Sequence, residues 1–348
     1  MREYFDFQAR PKSAWITVNR GCNFRCKWCY GQSSCFNPND NISLELAERI
    51  VSIAKEAGVK LFTLIGGEPT IWNPLDEFIS FCKASGVEVG MVTNGYRFSD
   101  DNYWDEYCKN PCNYIGVSVK SGNKSNFIEA TGVDCYEKTM LGIKRAMSFH
   151  KAGFSTVYND LVGEDGLLEI AENCRKIGAS SMTLSLCSPI LDETGVSDIY
   201  SVATQKIATS LIRVYPILDE LFEGHLNLEL FLPLCLFPED FISMVYEKGQ
   251  LSSICHIHNR TGIIFDTNGD ILPCNTMIGN HIAQYGVDFD DGISLLRHLN
   301  SPKLIDDFRA LLRYPSKECT SCKWNRRCKG GCILNWTVLD PAVCRAIK

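Results

Sequence analysis

The chain lacks the features of a secreted, membrane-bound or nucleic-acid-binding protein. Its start, Met-Arg-Glu-Tyr-Phe-Asp-Phe, holds two acids and no apolar run, unlike a signal peptide or membrane anchor. The longest apolar stretch, residues 226–237, is interrupted by Asn227, Glu229 and Pro233 and is too short to span a bilayer. Because the net charge is −6, a general nucleic-acid binder is disfavoured. We expect a cytoplasmic protein without membrane or nucleic-acid partners.

The sequence also lacks repeats, low-complexity runs and long linkers. Hydrophobic residues make up 45% and charged residues 22% of the 348 positions, which is ordinary for a folded protein. This length accommodates one large domain and a smaller one. We predict four parts: an N-terminal segment (1–13), a core barrel (14–225), a bridging region (226–254) and a cysteine-rich domain (255–348).

Six β-rich runs between residues 14 and 188 are each followed by a helical pattern. This alternation predicts βα units around a parallel sheet or barrel. Ser43, followed by the acid Glu45, has the features of a helix N-cap after the first run. Beyond residue 255, Asn268-Gly269 predicts a hairpin between two short strands. The six predicted strands are residues 15–19, 61–65, 87–93, 114–119, 154–160 and 181–186.

Cysteine is the exception to this ordinary composition, with 18 residues. In a reducing cytosol such cysteines bind metal more often than they form disulfides. Cys22, Cys26 and Cys29 have the spacing C-x3-C-x2-C, directly after the first predicted strand. Loops after barrel strands meet at the C-terminal face, where barrel enzymes build active sites. Three thiolates would leave one iron of a four-iron cluster open to another ligand; the spacing alone also permits a structural zinc site or free thiols.

This spacing, with Trp28 before the third cysteine, resembles the radical S-adenosylmethionine superfamily. The resemblance implies a partial (β/α)6 barrel whose [4Fe-4S] cluster binds S-adenosylmethionine. An electron from a donor such as flavodoxin or ferredoxin then cleaves this cofactor to a 5′-deoxyadenosyl radical, which takes hydrogen from a substrate. Gly66-Gly67-Glu68-Pro69, at the end of the second strand, resembles the family's turn that binds the cofactor's amino group.

Polar residues at later strand ends stand where family members contact the ribose or the methionine carboxylate: Thr93-Asn94-Gly95, Ser118 and Asn159. For each, a residue that only caps a turn is the alternative. Lys120 follows Ser118, and a salt bridge from Lys120 to the cofactor carboxylate is a further hypothesis.

The C-terminal cysteines resemble the SPASM extension of radical enzymes, an α+β domain with two auxiliary [4Fe-4S] clusters. The resemblance implies three clusters in all, with zinc as the alternative metal. The pattern is Cys255, Gly269-x4-Cys274, Cys319-x2-Cys322-x5-Cys328-x3-Cys332 and Cys344. By this resemblance, Cys319, Cys322, Cys328 and Cys344 hold the outer cluster, and Cys255, Cys274 and Cys332 the inner one.

The inner set is one cysteine short. Its fourth ligand is Cys235, His256, His258, a solvent molecule or the substrate itself. We favour a site left open, because isolated cysteines are more often packing residues than ligands. Among the scattered cysteines, Cys187 and Cys35 are the catalytic candidates. Both are predicted near the mouth of the barrel, where a thiol could quench a substrate radical; inert packing is the alternative.

Enzymes with SPASM domains mostly modify peptides or protein side chains, so the resemblance implies a peptide-modifying oxidoreductase. Asn275 occupies the place of the acidic base in sulfatase-maturing relatives. This difference weakens the hypothesis that the chain matures a sulfatase. Because 21 residues precede Cys22, we expect leader recognition by a separate protein or by the barrel surface. One alternative is oxidation or epimerisation of a small polar metabolite such as a sugar or aminocyclitol. Another is a non-catalytic iron–sulfur electron-transfer protein, which the Gly66–Pro69 turn disfavours.

Overall fold

The computed structural model describes residues 8–149, 151–192, 194–197, 204–253, 256–311, 316–337, 339–344 and 347. The strands are β1 (Ser13–Asn19), β2 (Leu61–Gly66), β3 (Glu88–Thr93), β4 (Tyr114–Ser118), β5 (Ala152–Tyr158), β6 (Met182–Leu186), β7 (Ile190–Asp192), β8 (Gly195–Ser197), β9 (Leu226–Glu229), β10 (Leu251–Ser252), β11 (Gly262–Phe265) and β12 (Ile271–Leu272). The α-helices are α1 (Leu44–Glu56), α2 (Leu75–Ala84), α3 (Asp101–Tyr107), α4 (Lys124–Thr131), α5 (Tyr136–Met147), α6 (Gly163–Lys176), α7 (Thr204–Leu221), α8 (Glu239–Glu247), α9 (His256–Asn259), α10 (Gly292–Leu299), α11 (Pro302–Leu311) and α12 (Asn325–Cys328).

Short 3-10 helices lie between these elements. They are Tyr30–Ser34, Pro69–Ile71, Tyr96–Ser99, Leu234–Leu236, Lys317–Ser321, Ile333–Thr337 and Pro341–Val343.

Within the described residues, one sheet has the strand order β10-β9-β6-β5-β4-β3-β2-β1-β11-β12. Neighbouring strands are parallel except β11 and β12, which form an antiparallel pair. Strands β1 to β6 are adjacent in chain order, as expected for consecutive right-handed βα units. The barrel is partial because β1 pairs with β11 and β6 with β9, rather than with each other. The predicted partial (β/α)6 barrel with a cysteine-rich C-terminal α+β region is confirmed.

Alternating burial along the strands creates the core between sheet and helices. In β1, Ala14, Ile16 and Val18 are fully buried and belong to the same apolar cluster as Ile50 and Ala54 of α1. Successive strand residues point to opposite faces, so the intervening positions face the concave side of the barrel.

The start of α1 matches the predicted cap. Ser43 is its N-cap, and its hydroxyl accepts a hydrogen bond from Leu46 N at 3.1 Å. This bond satisfies one of the amides that a helix start leaves unpaired. Glu45 lies in the first turn, where an acid interacts favourably with the helix dipole.

The C-terminal region is attached directly to the barrel through β11, which continues the sheet beside β1. The bridging region contributes β9 and β10 to the opposite edge. The boundaries at residues 225 and 254 stay predictions, because strands from both sides of each boundary share one sheet. In the part of the chain that the structure describes, no helix combines the length and apolar character needed to cross a membrane.

Candidate functional site

The loop that carries the first three cysteines lies against the Gly66–Pro69 turn. Gly67 N donates to Asn19 O and Glu68 N donates to Gly21 O, both at 2.9 Å. The Asn19 side chain adds a third bond, from Nδ2 to Glu68 O at 2.9 Å. The two motifs that the sequence analysis singled out therefore lie side by side at the carboxyl ends of β1 and β2.

Both glycines of this turn are required by backbone contacts with that loop. A Cβ atom on Gly66 would lie 2.3 Å from Asn19 O, and one on Gly67 would lie 2.0 Å from Gly21 O. Gly66 also has φ +152°, a conformation that other residues rarely adopt. In a turn that binds a cofactor, glycine lets the backbone approach the ligand closely. The structure gives a second reason, the close approach of the cysteine loop.

Glu68 joins the ends of two neighbouring strands. Its side chain is 1% exposed, and Oε1 accepts bonds from Thr70 N (3.1 Å), Thr70 Oγ1 (2.7 Å) and Thr93 Oγ1 (2.6 Å). Oε2 accepts a bond from Asn94 N at 2.8 Å. Both carboxylate oxygens thus accept hydrogen bonds from the protein, so the Glu68 side chain stabilises the turn. Pro69 follows as the buried first residue of the Pro69–Ile71 helix.

The three thiols are free and screened from solvent. Burial, and then the charge of Glu68, raises the pKa of Cys22 to about 12, and burial raises that of Cys26 to about 11. Backbone amides of Phe24 and Gly31 donate to the sulfurs of Cys22 and Cys29 at 3.4 and 3.3 Å. Thiolates are the form that binds iron, and N–H donors to sulfur are typical of iron–sulfur sites.

Among the described residues, no three His, Cys, Asp or Glu side chains are grouped to hold a metal ion. The assignment of a cluster to this site therefore rests on three properties of Cys22, Cys26 and Cys29: their thiol donors, their burial and their position at the barrel edge. A [4Fe-4S] cluster suits this thiolate set.

Positive charge surrounds the cysteine loop. Burial raises the pKa of Cys29, and the Gly31 amide and the charges of Lys120, Arg20 and Arg25 oppose that rise. Lys120 Nζ also donates to Ser118 Oγ at 2.6 Å, at the end of β4. Ser118 thus lies beside Lys120, whose charge acts on the cysteine loop. This cation could pair with an anionic group bound there.

The other predicted strand-end residue, Asn159, is fully buried and bonded within its own loop. Its Oδ1 accepts bonds from Leu161 N and Val162 N at 3.0 Å, and its Nδ2 donates to Val157 O at 3.2 Å. In this structure it stabilises the turn before α6. By contrast, Asn19 Oδ1 is buried without a partner among the described residues, which leaves one acceptor for a bound donor.

Tyr30, the residue after Cys29, connects the first site to the C-terminal region. Its hydroxyl donates to Gly66 O at 3.5 Å; burial raises the pKa of Tyr30, and the nearby side chain of Asn275 opposes that rise. Asn275 follows Cys274, so this proximity links the two cysteine regions. The sequence analysis gave Tyr30 no role; its position directly after the motif was the available signal.

We call Cys274 and Cys332 the inner group. Burial raises the pKa of Cys332 to about 11, and the nearby Cys274 adds to that rise; Thr276 Oγ1 donates to Cys274 Sγ at 3.2 Å. The third predicted ligand, Cys255, and the side chain of His256 lie outside the described residues.

His258, another proposed ligand, is 3% exposed, and neither ring nitrogen has a partner among the described residues. Burial, with a smaller contribution from Lys329, lowers the pKa of His258 to about 4. The imidazole is therefore neutral at physiological pH, the form in which histidine binds metals.

Five cysteines line one small cavity, and we call them the outer group. Four are the predicted ligands of the outer cluster, and the fifth comes from the bridging region. The outer group is Cys235, Cys319, Cys322, Cys328 and Cys344.

The two cysteines predicted as catalytic candidates differ in exposure. Cys35 is exposed after the Tyr30–Ser34 helix. Cys187 is partly buried after β6, where its backbone N donates to Tyr158 O at 3.0 Å and burial raises its pKa to about 12. Their roles stay predictions.

A cavity of about 640 Å³ opens beside the inner group. Pro273 and Ile333, the neighbours of the two inner cysteines, line it together with Leu191 of the β7–β8 hairpin. Helix α11 contributes apolar Phe308 and charged Lys303. Its size lies within the range of ligand pockets in proteins.

Comparison with known proteins finds a family match in the N-terminal half. Residues 16–178 match the model of the radical SAM superfamily. Among curated proteins, the chain is 29% identical over 134 residues to a probable GTP 3′,8-cyclase of Thermococcus kodakarensis, covering 38% of this chain and 43% of that protein. It is 28% identical over 160 residues to the GTP 3′,8-cyclase of Helicobacter pylori, covering 45% and 50%. These matches therefore span about half the length of the relatives.

Solved structures share the fold over nearly the whole chain. Streptococcus suis SuiB bound to its precursor peptide SuiA has a TM-score of 0.73 at 19% identity, covering 98% of this chain and 76% of that one. Native anSMEcpe with bound AdoMet has a TM-score of 0.69 at 18% identity, covering 92% and 89%. A match over 98% of the chain extends into the cysteine-rich C-terminal region.

Proposed function

We propose that this chain, whose residues 16–178 match the radical SAM model, is a peptide-modifying radical SAM enzyme with two auxiliary clusters in a SPASM domain. The observation that carries the proposal is the hydrogen-bonded pairing of the Cys22–Cys29 loop with the Gly66–Pro69 turn. A pure electron carrier needs no polar cradle beside its cluster, so this pairing favours catalysis over electron transfer alone.

In this proposal Cys22, Cys26 and Cys29 hold the first [4Fe-4S] cluster, and S-adenosylmethionine binds beside it. The bound cofactor would supply a 5′-deoxyadenosyl radical that removes hydrogen from the substrate. Asn19 Oδ1, buried without a partner in the described part of the chain, would accept a bond from the cofactor's amino group. Lys120, held by Ser118, would pair with the cofactor's carboxylate.

The outer and inner groups would hold the auxiliary clusters, with Cys255 completing the predicted inner set. The proximity of Asn275 to Tyr30 supports a shared reaction space, because these residues directly follow Cys274 and Cys29. A substrate lying there would be close to both clusters. Reduction of the clusters would require a donor such as flavodoxin or ferredoxin, and a cytoplasmic location is part of the proposal.

A peptide is the substrate class that we favour. The cavity beside the inner group combines apolar surface from Leu191 and Phe308 with the charge of Lys303, a mixture that suits a peptide segment. The fold is shared with SuiB, whose structure contains a precursor peptide. Recognition of a leader would fall to a separate protein or to the barrel surface.

A small polar metabolite is the second candidate substrate. The curated relatives are GTP 3′,8-cyclases, and their identity of 28–29% exceeds the 18–19% of the peptide-modifying structures. This similarity supports a small polar metabolite, such as a nucleotide, sugar or aminocyclitol, as the second candidate.

The test uses the full chain, reconstituted with iron and sulfide without oxygen and reduced with dithionite. Formation of 5′-deoxyadenosine from S-adenosylmethionine supports the enzyme, and its absence contradicts it. Peptides and nucleotides carrying deuterium at carbon are then supplied in turn. Deuterium transferred to 5′-deoxyadenosine from a peptide supports our proposal, whereas transfer only from a small metabolite supports the second candidate.

A further inference from the structure

The outer group contains more thiols than a cluster needs. A [4Fe-4S] cluster is held by four cysteines, whereas five line this cavity. The fifth, Cys235, is remote in sequence from the others and was considered above only as a ligand for the inner cluster. Its position in the fold places it at the outer group instead.

Backbone contacts hold the segment before Cys235 against the C-terminal region. Phe231 O accepts bonds from Cys332 N at 2.7 Å and from Asn335 Nδ2 at 2.9 Å. Leu234 N donates to Cys328 Sγ at 3.3 Å. Because Leu234 directly precedes Cys235, these bonds fix the residue beside the outer group.

The thiol of Cys235 lies near the same partners as a predicted ligand does. Burial raises the pKa of Cys344, and the neighbouring thiols of Cys235 and Cys319, which line the same cavity, raise it further. The charges of Cys235 and Cys319 also act on Cys328, with Cys235 the stronger of the two. Cys235 therefore lines the same cavity as Cys319, Cys328 and Cys344, as the motif cysteine Cys322 does.

We propose that Cys235 is an alternative ligand of the outer cluster, able to bind the iron that Cys322 would otherwise hold. This inference rests on the proposed function, because it requires a cluster in the outer group. The exchange is redox-neutral: the incoming thiol loses its proton to solvent as its sulfur–iron bond forms, and the leaving thiolate takes one up. Cys235 is then engaged at the outer cluster, and the inner cluster keeps its open position for substrate.

The test measures iron and acid-labile sulfide in the full-length chain, purified and reconstituted without oxygen. The wild type should hold about twelve irons in three clusters. Cys235→Ala and Cys322→Ala should each keep this content, because the other thiol fills the position. The double variant should lose about four irons, the content of one cluster. Cys108→Ala, which removes an exposed cysteine outside both groups, is the matched control.

Three results would overturn the proposal. Cys322→Ala alone losing one cluster would show that Cys235 does not replace it. Cys235→Ala alone losing one cluster would make Cys235 an obligatory ligand, and full iron in the double variant would make both thiols dispensable. Retained cleavage of S-adenosylmethionine in each variant checks that the barrel is folded.

A further variant separates this inference from the proposed function. Cys319→Ala/Cys328→Ala removes two ligands that the exchange cannot replace, so it should lose about four irons. If this variant keeps all its iron, no outer cluster exists and the proposed auxiliary clusters fail. If it loses one cluster while Cys322→Ala also does, only the role of Cys235 fails.

Discussion

The Cys22 loop has fewer thiols than the four that hold a [4Fe-4S] cluster, whereas the outer group has more. The loop offers three thiols beside the cation of Lys120 and beside Asn19 Oδ1, a buried acceptor that has no partner among the described residues. The outer group offers five thiols around a small cavity that the segment before Cys235 helps to form. In the proposed function, three thiols would leave an iron open for a cofactor, whereas a fifth thiol would keep an outer cluster fully ligated. The predictions below test this difference, from the largest expected effect to the smallest.

Removal of all three N-terminal thiols should have the largest effect. Cys22→Ala/Cys26→Ala/Cys29→Ala should abolish 5′-deoxyadenosine formation and remove about four of twelve irons, because the auxiliary clusters lie in a separate group. Chromatography of the nucleoside product and iron analysis measure both quantities. Continued cleavage of S-adenosylmethionine in this variant would defeat the proposed site.

Arg20 couples the Cys22 loop to the C-terminal region through a buried ion pair with Asp266, whose side chain is 10% exposed. Arg20→Met should destabilise the fold by about 3–5 kcal/mol, since it leaves Asp266 buried without its main cation. Chemical denaturation of the full chain measures the change.

Arg213→Met is the matched control, because its pair with Glu164 is exposed and should contribute less than about 1 kcal/mol. The double variant Arg20→Met/Asp266→Leu should be more stable than Arg20→Met, because no unpaired charge is buried. Equal losses in the Arg20 and Arg213 variants would contradict this coupling.

Gly67→Ala should displace the Gly66–Pro69 turn from the cysteine loop. The added Cβ would lie 2.0 Å from Gly21 O, so the loop and turn must separate. A displacement of this size should slow cofactor cleavage by about 100-fold. Gly116→Ala in β4 is the control, because its nearest contacts are at 3.7 Å. Similar rates for the two variants would show that the loop and turn need not touch.

Lys120→Gln should have the smallest effect. Loss of one charge-assisted bond to the cofactor carboxylate should weaken S-adenosylmethionine binding by about tenfold. Calorimetric titration of the reconstituted protein measures the dissociation constant. Lys124→Gln removes a lysine paired with Asp134 at 2.9 Å and should leave binding unchanged. An unchanged constant in Lys120→Gln would remove that lysine from the cofactor site.

The barrel could be predicted because its signals are local. Each β-rich run and the following helix appear in the sequence, so the six predicted strands match β1 to β6 within a few residues. The contact between the Cys22 loop and the Gly66 turn followed from topology, because parallel strands place their carboxyl ends together.

The remaining features depend on contacts between distant parts of the chain. Cys235 meets Cys344 across more than 100 positions, and Tyr30 meets Asn275 across more than 200. Neither pairing leaves a periodic or spacing signal. The internal bonding of Glu68 was also missed, because a carboxylate in a cofactor motif gives no sign of whether its partners are ligand or protein.

The central claim is that S-adenosylmethionine binds the cluster held by the Cys22 loop. Electron paramagnetic resonance of the reduced protein, recorded with and without S-adenosylmethionine, tests it most directly. The account predicts that the cofactor shifts one cluster signal in the wild type and in Cys319→Ala/Cys328→Ala, and that Cys22→Ala/Cys26→Ala/Cys29→Ala lacks that signal. A cofactor-dependent shift that persists in the Cys22/Cys26/Cys29 variant would contradict it.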